Sequence, residues 1–270
     1  MKIDGRKLAS EILKKLNKQD NKNSNPQLAV ILIGEDENSR VYVRQKEKIA
    51  KLVGVNLKIF RFKNTTVSKL TSLVTKLNTD PSIHGIIIQR PMPIKIEMEE
   101  LDNLVLPKKD VDGFNPKSLF DPPVALAVLE ILKSVHRNNF LSWLKKEKVL
   151  IIGRGVTAGR PIAKYFSKKG LKFTVAHSQT QNLDKLCLSS NIIISCVGKP
   201  DIVRHTMLKR SSILIGVGLH PENTGLKPDY NQEEVKDKVR FYTPVPGGVG
   251  PLNVAMLMRN AVEAAKNQSN

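Results

Sequence analysis

"VLIIGRGVTAGRPIA", residues 149–163, sets an apolar run against three glycines and a proline. Val149–Ile152 reads as a strand buried on both faces, because no polar side chain interrupts it. Gly153, Gly155 and Gly159 follow at G-x-G-x-x-x-G spacing, and a helix is expected from Pro161. In a dinucleotide-binding fold such glycines permit a tight turn and let a pyrophosphate approach the helix N-terminus. The spacing is one residue longer than the standard fingerprint, so taken alone the stretch is also an ordinary strand–turn–helix joint.

Outward from it the same grammar repeats. "KFTVAHS", "NIIISCVG" and "SSILIGVG" read as three more buried strands on the C-terminal side. Towards the N-terminus come "PQLAVILIG" as a strand and "RVYVRQKEKIAKLVG" as a helix, with Asn38 or Ser39 available as N-cap and Gly54 as stop. "VNLKIFRF", "TVSKLTSLVTKLN" and "IHGIIIQRPMP" continue the alternation. This order predicts an α/β fold of parallel sheets flanked by helices, in two lobes with a cleft between them. A linking helix is expected at 123–135. "PVPGGVGPLN" (244–253) holds three prolines and three glycines in ten residues, so it predicts an irregular loop, followed by a last helix at 253–266.

The totals exclude several classes. No run approaches the ~20 apolar residues of a membrane span, and "MKIDGRKLAS" has no apolar core of a signal peptide. The two cysteines, Cys187 and Cys196, make neither a disulfide framework nor a metal-ligand spacing, which suits a reducing cytoplasm. A formal charge of +19 would draw anions, yet the lysines are spread along the chain and aromatics are only 5% of it, too few for a base-stacking surface. A diffuse basic surface is therefore the first reading of the charge, attraction of polyanionic small molecules the second and a nucleic-acid groove the last; neither nucleic acid nor a membrane is an expected partner.

Candidate chemistry falls in four places. Tyr42 and Lys46, four apart, share one helical face; facing a cleft, the ring could orient a flat substrate while a desolvated lysine exchanges a proton near neutral pH. Gln89 ends a strand at "QRPMP", where ligands of open α/β sheets collect. Asp110 and Asp112 lie in the turn "PKKDVDGFNP", which is either Asx-turn chemistry or a carboxylate held for the N–H donors of a heterocycle. With no histidine nearby they make a poor metal site, and no metal is expected; His84, His136 and His220 are isolated. The strand ending "TVAHSQT" carries no acid for a ribose 2′-hydroxyl, whereas Arg154 and Ser178 would suit a 2′-phosphate, which favours NADP.

Together the motifs resemble one family, the bifunctional methylenetetrahydrofolate dehydrogenase/cyclohydrolase enzymes. "SRVYVRQK" is similar to S-x-x-Y-V-x-x-K, "QRPMP" to Q-L-P-L-P, "GRGVTAGRP" to G-R-S-x-x-V-G-x-P; "KDVDGFNP" is nearly unaltered and "TPVPGGVGP" unaltered. The resemblance implies a catalytic lobe of residues 1–121 completed by a C-terminal helix at 251–270, a Rossmann-like NADP lobe at 122–250, and a homodimer built on the cofactor lobes. It implies oxidation of 5,10-methylenetetrahydrofolate to the methenyl cation and hydrolysis of that cation to 10-formyltetrahydrofolate, a tetrahydrofolate interconversion that serves purine biosynthesis. Lys46 would be the acid–base group, positioned by Tyr42 and hydrogen-bonded with Gln89, and Asp112 would hold the pterin N–H donors. Gly153, Arg154, Gly155, Gly159, Ser178, Val197 and Gly198 would bind the cofactor. Pro246, Gly247 and Gly248 would line the folate site.

Departures from the family pattern gather on the cofactor side. The family's P-C-T-P-x-G is "PPVALA" (122–127), the serine of G-R-S is Gly155, I-D-V-G-I is "IGVGL" with Gly216 in place of aspartate, and G-D-V is "PDY", keeping Asp229. Arg90 replaces a leucine. Two alternatives to the full bifunctional enzyme follow: a cyclohydrolase with weakened hydride transfer, and a non-enzymatic basic binding protein.

Overall fold

The computed structural model describes residues 1–18, 25–222 and 225–269. The chain divides into two compact units, one of Ser10–Pro123 with Val254–Asn270, the other of Met1–Ala9 with Val124–Asn253.

The first unit is built on a three-stranded parallel sheet of order β2-β1-β3, from β1 (Gln27–Ile33), β2 (Asn56–Phe62) and β3 (Gly85–Ile88). Strand period two sorts the side chains of the central β1 onto opposite faces. Leu28, Val30 and Leu32 pack with Val43 of α2 (Glu37–Leu52) and with Val254, Leu257, Met258 and Ala261 of α10 (Val249–Ser269). Ala29, Ile31 and Ile33 pack with Leu70, Val74 and Leu77 of α3 (Val67–Thr79) and Leu101 of α4 (Met98–Leu104). This two-sided burial is why "LAVILI" carries no polar residue. β2, at the edge, is more exposed.

The second unit carries a five-stranded parallel sheet, order β10-β7-β6-β4-β5, from β4 (Val149–Ile152), β5 (Phe173–Ala176), β6 (Ile192–Ser195), β7 (Ile213–Gly216) and β10 (Phe241–Tyr242). The chain runs from β4 through α7 (Gly159–Lys168) to β5 on one side, then through α8 (Leu183–Ser189) to β6 on the other. The strand order therefore reverses at β4, and the crevice beyond its carboxyl end is where open α/β sheets bind ligands. β5 is an edge strand with only Ala176 fully buried, a correction to its reading as a buried strand. A two-stranded antiparallel hairpin, β8 (Leu219–Glu222) with β9 (Gly225–Pro228), is an addition to the expected elements. So are α6 (Phe140–Leu144) and α9 (Gln232–Val235). The linking helix, α5 (Pro123–Val135), falls where it was expected. In this unit Trp143 stacks on His136, ring centroids 4.5 Å apart.

Two expectations are corrected at element ends. The last helix starts at Val249, so residues 249–253 of the Pro/Gly segment are helical rather than loop. Pro251 is tolerated there because first-turn N–H groups have no intrahelical acceptor to lose. The N-cap of α2 is Asp36, whose Oδ2 accepts the Ser39 N–H at 2.7 Å, rather than Asn38 or Ser39. Among the described residues no helix is long and apolar enough to cross a membrane.

Candidate active site and cofactor loops

In the first unit Lys46 is the unusual group. It projects from α2, is 7% exposed, and its Nζ donates to Gln89 Oε1 at 2.8 Å. Burial pushes the Lys46 amine below the ordinary lysine range, and the Asp112 carboxylate opposes that shift. Gln89, just after β3, is itself fixed: its Nε2 donates to the Arg90 carbonyl at 2.9 Å. Tyr42 lies one turn before Lys46, half-buried, with burial raising its phenol. The parallel register of β1 and β3 brings Gln89 to a residue 43 positions earlier.

Asp112 sits half-buried in the turn after Asp110. The two acids divide the possibilities that the sequence left open. Asp110 is the Asx-turn residue, its Oδ1 accepting Gly113 N–H at 3.1 Å and its Oδ2 accepting Asn115 N–H at 2.8 Å. Burial nevertheless pushes Asp110 up to about 7, against those two donors and with Asp112 adding to the rise. Among the described residues, the Asp112 carboxylate accepts no hydrogen bond from the turn. Asn260 of α10 holds the same loop from behind, donating to the carbonyls of Val111 and Asp121, both at 3.0 Å.

Three residues near this site make contacts that the sequence did not assign to them. Ser39, weighed only as a cap, is buried with its hydroxyl unpartnered, seven residues before Lys46 and thus on the same helical stripe. Asn260 carries no motif signal. Arg90 makes a buried ion pair with Asp102 at 2.6 Å and lies over the Phe114 ring, 4.0 Å from its centroid, joining the loop after β3 to α4 and to the Asp112 turn.

In the second unit Gly153 has φ +102°, and an added Cβ on Gly159 would stand 2.0 Å from the Gly153 carbonyl oxygen. Both glycines are thus required by the backbone. Gly155 is not: a Cβ there would meet nothing within 4 Å. Helix α7 begins at Gly159, two residues before the expected Pro161, and its N-cap, Ala158, offers no side-chain acceptor. Arg154 and Ser178 are both exposed, each two residues beyond the paired ends of β4 and β5, Ile152 and Ala176. A glycine cradle, a helix start without a side-chain cap, a basic residue and an acid-free β5 end fit an anionic dinucleotide.

Val197 and Gly198 follow β6, and their N–H groups point at Asp229, donating to its Oδ2 and Oδ1 at 2.9 and 2.7 Å. Of the Pro/Gly loop, Pro246 is exposed, Gly247 half-buried and Gly248 buried. Gly216 explains one departure. Its missing side chain leaves room for the Tyr230 ring, whose Oη would be 2.7 Å from a Cβ there.

A family profile described as "Tetrahydrofolate dehydrogenase/cyclohydrolase, catalytic domain" matches residues 3–112, and one described as "Tetrahydrofolate dehydrogenase/cyclohydrolase, NAD(P)-binding domain" matches residues 122–269. The chain belongs to the tetrahydrofolate dehydrogenase/cyclohydrolase family. It is 36% identical over 279 residues to the "Bifunctional protein FolD" of Pelagibacter ubique, covering 98% of each chain. The bifunctional FolD enzyme of Campylobacter jejuni superposes with a TM-score of 0.89 at 33% identity, covering 98% of each chain. The Trypanosoma brucei dehydrogenase-cyclohydrolase, solved with NADP and an inhibitor, gives a TM-score of 0.89 at 29% identity over all of this chain and 98% of its own. As a family member the chain thus combines a catalytic domain with a dinucleotide-binding domain, the α/β organisation expected from its sequence.

Proposed function

We propose that the chain oxidises 5,10-methylenetetrahydrofolate to the methenyl form and hydrolyses that to 10-formyltetrahydrofolate, with Lys46 as the acid–base group of both steps. The observation that carries the reading is the buried Lys46 amine held on Gln89 Oε1 at 2.8 Å, in the domain matched as catalytic. NADP supplies the hydride acceptor when bound, and the acid-free end of β5 beside Arg154 supports NADP over NAD.

The chain's own residues account for the proton work. Desolvation lowers the Lys46 amine, which eases its giving and taking of a proton at the N5–C–N10 bridge of the folate. Gln89 keeps the amine aimed through a side chain that is itself fixed to the Arg90 carbonyl. Tyr42 orients the pterin, Asp112 accepts its N–H donors, and Pro246–Gly248 line the folate site. Gly153, Arg154, Gly155, Gly159, Ser178, Val197 and Gly198 hold the cofactor. The Tyr230 ring in the space left by Gly216 favours a repacked cofactor domain over a decayed one, and so the full bifunctional reading.

The reading includes a homodimer built on the cofactor-binding domain and residence in the cytoplasm; light scattering at micromolar concentration tests the first. Lys46→Met keeps the aliphatic stem and removes the amine. It is expected to fold normally and lose about a hundredfold or more of both activities. Methenyl hydrolysis within tenfold of the parent would remove Lys46 from its role. Absence of hydride transfer in the parent, with hydrolysis intact, would reduce the function to a cyclohydrolase.

A further inference from the structure

Three side chains from the short segment Asp229–Gln232 grip backbone elsewhere in the second unit. Asp229, fully buried just after β9, accepts N–H donors from Val197, Gly198 and Lys199 at 2.9, 2.7 and 3.0 Å, and the Ser195 hydroxyl at 2.6 Å. Tyr230, also buried, donates its hydroxyl to the Thr243 carbonyl at 2.5 Å. Gln232 pairs with both polar backbone groups of Val245: its Nε2 donates to the carbonyl at 2.8 Å and its Oε1 accepts the N–H at 2.9 Å. We infer that Asp229–Gln232 is a positioning segment that sets the path of two loops at once, the 197–199 loop on the cofactor side and the entry to the 244–248 loop on the folate side. This rests on the function proposed above.

The chemistry of the grip restricts what each loop offers. Three successive N–H groups converging on one carboxylate form an anion-binding nest that the chain has filled with its own charge. These donors are not free for a phosphate, so the 197–199 loop meets the cofactor through its backbone carbonyls, which suit the hydroxyl and amide donors of its nucleoside ends. Phosphate recognition then falls to the Gly153–Gly159 turn. On the other side, Thr243 is held by Tyr230 and Val245 by Gln232, directly ahead of Pro246. Proline rigidity stiffens the loop internally, and the two side chains fix where that stiff piece starts.

Two substitutions separate the grips. Asp229→Asn turns an amide NH2 towards backbone donors and is expected to weaken NADP, measured by calorimetry, about tenfold or more. Its KM for methenyl hydrolysis without cofactor should stay within about twofold, the size of a non-effect on this scale. Gln232→Ala is expected to do the reverse, raising the folate KM severalfold while kcat and the NADP affinity hold. A purely structural role would lower Tm and move both constants together in both variants; that pattern, or no change in either, overturns the inference. Amide exchange on the ligand-free parent decides independently of whether a variant folds. The N–H groups of Val197, Gly198, Lys199 and Val245 should be protected, and free exchange there would also overturn it. A parent that neither binds NADP nor hydrolyses methenyltetrahydrofolate defeats the proposed function instead, while the exchange pattern still reports on the grip.

Discussion

Gly155 and Gly159 lie four residues apart and make opposite demands on substitution. A side chain at 159 would collide with the Gly153 carbonyl, which is backbone and cannot swing aside, whereas position 155 opens onto free space. Gly159→Ala is expected to destabilise the protein by about 3 kcal/mol. Gly155→Ser should change stability by no more than about 0.5 kcal/mol. Urea denaturation of both variants checks this, and a costly Gly155→Ser would mean that the serine's loss was not neutral. The sequence showed the three glycines as equals, since spacing says nothing about which carbonyl passes overhead. Tyr42 and Lys46 were legible because helical period alone puts them on one face. That Lys46 finds Gln89 came from the family resemblance alone, because helical period says nothing of the register of two parallel strands.

At the scale of elements, the turn after residue 109 carries a pH dependence of its own. Asp110 is raised to about 7 in the folded chain, from an ordinary value near 4. A carboxyl whose folded pKa is raised contributes stability that is fully present below the unfolded value and is lost as pH rises through the folded one. The stability of the parent relative to Asp110→Asn should therefore fall from pH 4 to about pH 7 and level off above it. Denaturation at pH 5 and pH 8 reads this difference, and an advantage that grows towards pH 8 would contradict the burial of that charge. The main strands and helices were legible from apolar runs and period. β8 and β9 were not, because each is four residues long and contains a proline, giving alternation no room to register. The start of α10 was missed for a related reason: prolines and glycines mark a loop until one sees that Pro251 falls in a first turn.

For the molecule as a whole, the +19 charge acts on approach rather than on chemistry. A polyglutamylated folate carries several negative charges, and a positive field speeds its encounter over about a Debye length, roughly 10 Å at 0.1 M salt. Raising salt from about 0.05 to 0.5 M should increase KM for such a substrate severalfold and leave kcat unchanged; a monoglutamyl substrate should respond less. Equal responses would show that the charge plays no part in capture. The connections from Asp229, Gln232 and Asn260 were not visible in the sequence, because each reaches a partner distant in sequence. The lone indole of the chain, Trp143 on the His136 ring, belongs to the 124–253 body. It is a built-in optical label for one half of the protein. A melting curve by tryptophan emission laid over one by circular dichroism will tell whether the halves come apart together or in turn.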